Sequence, residues 1–235
     1  MSENQILKQA LREKRTLLTE IESKELLKEA GIPVVETKLA KTKQEAIALS
    51  KIIGFPVALK IASPDITHKS DSGGVKLALT TSAEVGNAYD EILSAIKQKF
   101  PEAKIQGISV QKMAQTGIEV IIGMSKDAQF GPVVMFGLGG ISVELLKDVS
   151  FRIVPITRKD AGEMIKEIKG YQILKGYRGQ EPADIPSLEQ IIVKVSELAE
   201  KNPQIKELDL NPVFAYKNGA VAVDARVILE TSAEG

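Results

Sequence analysis

The chain has no cysteine, no tryptophan and a single histidine in 235 residues, and each shortage removes a class of chemistry. Without thiols there is no disulfide, no thiolate nucleophile and no Cys-ligated zinc or iron–sulfur cluster. With His68 as the only imidazole, no metal site can be built from several histidines. Charge of one sign is also missing. Lys plus Arg and Asp plus Glu number 31 each, so polyanions meet no general attraction, and no local basic patch points to nucleic acid. No run of about 18 apolar residues occurs, and MSENQILKQALREKR at the start holds no continuous apolar stretch. The expectation is a soluble, cytoplasmic protein with neither nucleic acid nor membrane as partner.

What is present is ordinary globular usage, 43% hydrophobic and 26% charged, in a length that suits one large domain or two lobes. Apolar spacing predicts helix over 4–30, broken near Thr19 or Ser23 and stopped by Gly31 and Pro33. Strand, helix and strand follow at 34–40, 42–53 and 56–62. The stretch SPDITHKSDSGG (63–74) has no apolar period and reads as a loop of functional length. Then come a strand at 74–80, a helix at 82–99 and a strand at 108–113. The second half begins with a hairpin, 117–124 and 131–138, and a glycine cluster near 136–140. A strand at 150–156 and helices at 158–169 and 187–201 follow. A final hairpin, 205–215 and 219–229, turns on Asn218-Gly219. The lobe boundary is expected between 111 and 117, giving lobes of 1–112 and 113–235.

Three features could carry chemistry. Lys60 stands fourth in the apolar strand Val57-Ala58-Leu59-Lys60-Ile61; it either meets an anion or faces water from an edge strand. Gly73 and Gly74, after Ser70-Asp71-Ser72, could let backbone N–H groups approach phosphate oxygens, or simply turn the chain. No Walker or GxGxxG pattern is present. Asn211 and Asp224 fall on the two arms of the final hairpin. A turn on Asn218 and Gly219 sets Asp224 opposite Val213 and makes Asn211 its diagonal neighbour. A carboxamide and a carboxylate at one spot suit a hard cation such as Mg²⁺, although a strand-end Asn before Pro212 and a surface Asp would look the same.

Together these residues resemble the ATP-grasp family. The segments FPVALKIASPDITHKSDSGGVKL (55–77), GIEVIIGMSKDAQFGPVVMFGLGG (117–140), LKDVSFRIVPITRKDA (146–161) and ELDLNPVFAYKNGAVAVDARVIL (207–229) look like the nucleotide-binding β subunits of ADP-forming acyl-CoA synthetases, relatives of succinyl-CoA synthetase. The resemblance implies an α+β lobe and a larger α/β lobe that clamp ATP or ADP between two antiparallel sheets. It implies an acid–thiol ligase that interconverts acyl-CoA, ADP and phosphate with acid, CoA and ATP. A separate α subunit would carry the CoA and acyl-phosphate sites, in an α2β2 heterotetramer.

Carried over residue by residue, Lys60 would contact the phosphates, with Gly73, Gly74 and Val75 forming a loop above them. Gln111, Lys112 and Met113 would be the hinge whose backbone reads adenine, and Glu119 a carboxylate near the nucleotide. Asn211 and Asp224 would hold Mg²⁺, with Asp209 as a further ligand. His68 would relay the phosphoryl group from an α-subunit phosphohistidine to ADP. Rival expectations are the ATP-grasp part of another acyl-CoA ligase or of a protein acetyltransferase, and a nucleotide-binding subunit without catalysis.

Overall fold

The computed structural model describes residues 4–66, 69–140, 148–177 and 179–230. In chain order the elements are α1 (Gln5–Arg12), α2 (Glu20–Glu29), β1 (Thr37–Ala40), α3 (Lys43–Ile53), β2 (Val57–Ala62), β3 (Val75–Leu79), α4 (Ser82–Lys99) and β4 (Gly107–Lys112). They continue with β5 (Ile118–Asp127), β6 (Gly131–Leu138), β7 (Val149–Ile153), α5 (Arg158–Glu167), α6 (Tyr171–Leu174), α7 (Ile185–Lys201), β8 (Ile205–Ala215), β9 (Ala220–Ala222) and β10 (Arg226–Leu229). Packing divides them into two units, one of 19–21 and 35–115, the other of 1–18, 22–34 and 116–235.

The smaller unit is a four-stranded sheet in the order β1-β4-β2-β3. Val57, Leu59 and Ile61 of β2, with Ile108 and Val110 of β4, share a buried cluster with Ala46 and Ile53 of α3 and Val85, Ala88 and Ile92 of α4. The period of two therefore sends Ala58, Lys60, Ser109 and Gln111 to the opposite face. The two helices start where Thr-x-x-Glu stands in the sequence. Thr42 accepts from Glu45 N and Thr81 from Glu84 N, satisfying N–H groups that the first turn leaves without partners.

The larger unit is a six-stranded antiparallel sheet, β10-β8-β5-β6-β7, with β9 pairing β8. Val120, Ile122 and Met124 of β5 and Val134 and Phe136 of β6 are buried with Ala161, Met164 and Ile165 of α5 and Leu188, Ile192 and Val195 of α7. The N-terminal stretch belongs here, unlike the division at 112/113 expected from the sequence. Leu7, Ala10, Leu18, Leu26, Leu27 and Ile32 are buried in this same core. Leu18 N–H donates to Val227 O at 3.0 Å and Leu229 N–H to Thr16 O, so the segment pairs with β10 and covers that sheet edge. Helix α2 ends at Gly31 (φ 79°), where Ile32 N–H donates to Leu27 O across a left-handed residue, a position glycine takes without Cβ strain.

The final hairpin turns one residue earlier than expected. Tyr216 N–H donates to Gly219 O, so Lys217 and Asn218 form the tip and Gly219 takes φ 87°. Asp184, the N-cap of α7, holds this turn in place. Its Oδ2 accepts from Gly219 N–H at 2.8 Å, its Oδ1 from Ser187 N–H at 3.1 Å, and its own N–H donates to Tyr216 O. The Gly219 bond first, then those from the Ser187 hydroxyl and N–H, hold its carboxyl below the usual carboxylate range. A depressed folded pKa contributes stability above the unfolded value near 3.9, and that contribution is lost as pH falls through the folded pKa. Asp184→Ala is expected to cost about 1–2 kcal/mol at pH 7, read as a lower Tm, and the deficit should shrink in acid.

Candidate functional site

Lys60 lies inside the sheet, not on an edge. Strand β2 runs between β4 and β3, and Lys60 pairs Ser109 on one side and Val75 on the other. Although only 7% exposed, it is paired: Nζ donates to Glu20 Oε1 at 2.8 Å. Glu20, itself buried, accepts on Oε2 from Lys69 Nζ at 2.8 Å. Ser109 and Gln111, each 2% exposed, share the Lys60 face, and Ser109 Oγ donates to Lys60 O at 3.2 Å. A face carrying a lysine, a hydroxyl and a carboxamide, all buried, is a polar surface built to meet a ligand or a fixed partner. Sequence reasoning did not find Glu20, which lies 40 residues away in a helix that reads as plain amphipathic surface.

The glycines after this loop serve packing. Gly73 N–H donates to Ser70 O at 3.1 Å and Gly74 N–H to Lys69 O at 2.8 Å, while Ser72 Oγ donates to Lys69 O. Both amides are thus used to close the loop on itself. A Cβ on Gly74 would stand 2.6 Å from Ile61 Cγ2 and 3.0 Å from Lys69 O, so glycine is required for close approach to β2. His68 lies outside the described residues.

The hinge stretch is similarly committed. Lys112 N–H donates to Glu36 O and Met113 N–H to Pro56 O. The Lys112 ammonium donates to Gly54 O at 2.7 Å and Phe55 O at 3.2 Å, where it caps the end of α3. What these two residues can still offer a base is a carbonyl, which accepts from an exocyclic amine such as that of adenine.

In the larger unit, Glu119 on β5 pairs Phe214 and accepts Gly139 N–H on its carbonyl at 2.7 Å. A Cβ at Gly139 would come 2.9 Å from Glu119 Cβ, and one at Gly140 3.2 Å from Glu119 Oε2, so the glycine pair makes room for this carboxylate. The metal candidates converge. Val213 pairs Ala222 and Asp209 pairs Arg226 in one continuous register, which sets Asp224 directly across from Asn211 instead of diagonal to it. The shift is two residues, so both side chains keep the face expected of them. The ladder pauses between β9 and β10, where Pro212 has no N–H to give and only its carbonyl accepts, from Val223.

Asp209 lies one alternate position along, between Gly123 and Arg226. Burial pushes its carboxyl above the ordinary range; Arg226 opposes the shift, and the negative charges of Asp224 and Glu207 add to it. Carboxylates that repel one another beside an amide oxygen are an oxygen-only set that a hard dication would neutralise. Among the described residues no three His, Cys, Asp or Glu side chains gather into a metal cage. An amide oxygen with one or two carboxylates would leave the other positions around a Mg²⁺ to water and phosphate. The raised pKa makes a test. Asp209→Asn is expected to raise the Tm at pH 7 in the absence of Mg²⁺, because a desolvated charge is removed. The native carboxyl is penalised only when ionised, so the difference should close as pH falls through its folded pKa toward about 4.

A family model described as an ATP-grasp domain matches residues 9–229. The β subunit of acetate–CoA ligase [ADP-forming] I from Pyrococcus furiosus is 53% identical over 225 residues, 96% of this chain and 97% of that subunit. This chain belongs to the ATP-grasp family. Its place is among the β subunits of ADP-forming acetate–CoA ligases. A solved acetyl-coenzyme A synthetase 1 from Ca. Korarchaeum cryptofilum, bound to coenzyme A and Ca-AMPCP, superposes with a TM-score of 0.95 at 48% identity, covering 97% of this chain and 100% of that one. Another structure of that enzyme, with coenzyme A and Mg-AMPPCP, has a phosphohistidine segment pointing towards the nucleotide site; it matches with a TM-score of 0.86 at 46% identity over 96% and 98%. The two antiparallel sheets described above are those of an ATP-grasp fold. Among the described residues, no helix is long and apolar enough to cross a membrane.

Proposed function

We propose that this chain is the nucleotide-handling β subunit of an ADP-forming acetate–CoA ligase, which joins an α subunit to interconvert acetyl-CoA, ADP and phosphate with acetate, CoA and ATP. The observation that carries the reading is full-length identity: the chain covers 97% of a β subunit at 53% identity. Assembly as a cytoplasmic α2β2 heterotetramer is part of the reading. So are the residue roles, each supported by its geometry. Lys60 brings a positive charge to a buried polar face and is assigned to nucleotide phosphate. Gln111, Lys112 and Met113 are assigned to the base, Lys112 and Met113 through carbonyls, and Glu119 to the nucleotide's surroundings. Gly73 and Gly74, with Val75 beside Lys60, shape the loop instead of donating to phosphate.

Asn211 and Asp224, with Asp209, are assigned to Mg²⁺. When bound, the ion would neutralise phosphate charge. In the reaction, phosphate displaces CoA from acetyl-CoA to give acetyl phosphate and CoA on the partner. A partner histidine takes the phosphoryl group and releases acetate. His68 then accepts it through a ring nitrogen, and ADP takes it to become ATP. Positioning and charge neutralisation account for most of the catalysis in such transfers. The test is reconstitution. The isolated chain should bind Mg-ADP, seen by calorimetry, and make no ATP; with the α subunit it should make ATP from acetyl-CoA, ADP and phosphate. Full turnover by the chain alone would overturn the two-subunit reading.

A further inference from the structure

Glu20, the first residue of α2, divides its two carboxylate oxygens between two lysines: Oε1 accepts from Lys60 and Oε2 from Lys69, each at 2.8 Å. One lysine comes from the middle of β2 and the other from the loop that follows it, so one carboxylate ties strand and loop together. Its side chain is 5% exposed, against 9% for Lys60 and 23% for Lys69. A buried ion pair of this kind gives little net stability over apolar side chains of the same volume, because desolvation offsets most of the attraction. What it does supply is position. Two flexible ammoniums, each on its own oxygen of one carboxylate, are held close together.

We propose that Glu20 is a positioning residue for the nucleotide phosphates, acting through Lys60, and that Lys69 is a second phosphate-side cation held by the same carboxylate. The inference rests on the assignment of Lys60 to phosphate made above. The bridge fixes where two charges stand before ADP arrives, so less side-chain entropy is lost on binding. A glutamine at position 20 could accept from one lysine through its carbonyl, but its amide group would face the other as a donor toward a donor.

The test uses the reconstituted enzyme and reads KM for ADP and for acetyl-CoA separately. Glu20→Gln is expected to raise KM for ADP about tenfold or more, the loss of one or two charge-assisted bonds, with KM for acetyl-CoA unchanged. Glu20→Asp keeps the charge and should recover much of the loss. In a double-mutant cycle with Lys69→Met, Glu20→Gln should cost clearly less than in the parent, because half of what it positions is already gone. Should Glu20→Gln fail to fold, Glu20→Asp carries the test, with KM for ADP up about threefold from the shortened reach. KM for ADP within twofold of the parent in both variants, parallel rises in both KM values, or full additivity with Lys69→Met would overturn the inference. Failure of the parent enzyme to bind Mg-ADP would instead sink the functional reading itself.

Discussion

A His68→Asn chain assembled with its α subunit is expected to make no ATP from acetyl-CoA, ADP and phosphate, while it binds Mg-ADP within about threefold of the parent. Asparagine keeps hydrogen bonding but has no ring nitrogen to take a phosphoryl group, so the variant separates chemistry from shape. The nucleotide is assigned to Lys60, the hinge and Mg²⁺, none of which the substitution replaces. With labelled phosphate, the α-subunit histidine should still become labelled, because that transfer comes before the relay, and the label should then stop there. Transfer of label to ADP at near-parental rate would mean that the phosphoryl group passes directly from the partner to the nucleotide.

The second large effect is expected at Asp224. Asp224→Ala should reduce kcat/KM for Mg-ADP in the reconstituted enzyme by about a hundredfold, on the order of 2.7 kcal/mol, because it removes a charged oxygen directly across from Asn211. The fold should barely notice. Asp224 lies between β9 and β10, where no ladder pair depends on it, and its Oδ1 accepts from the next residue, Ala225 N–H. The Tm without Mg²⁺ should therefore stay within a few degrees. If kcat/KM falls by less than about threefold, roughly 0.7 kcal/mol, the metal assignment is wrong.

Both effects follow from residues that stand out in the sequence, and the reason is local. His68 is the only imidazole, and Asp224 interrupts an apolar run. The same holds for most elements. Helix α4 occupies the expected 82–99, and β8 the expected 205–215, because apolar period, Thr caps and turn residues act within a few positions of one another. The hairpin tip was less legible. Asn218-Gly219 reads as a two-residue turn, yet Asp184 takes the Gly219 N–H and Tyr216 takes the Gly219 carbonyl, and this moves the register by two.

The sequence by itself determined the family, the order of strands and helices, and the residue types available for phosphate and metal, since these depend on short motifs and local spacing. Only the tertiary structure decided which of those residues meet. It assigned residues 4–18 and 22–34 to the core of the larger unit, because apolar helix faces carry no label naming the surface they will cover. It turned the amides of Gly73 and Gly74 inward, and it brought Glu20 to Lys60 and Lys69 across 40 and 49 residues. A buried charge takes whatever opposite charge the fold carries to it, and that distance in space is not written in distance along the chain.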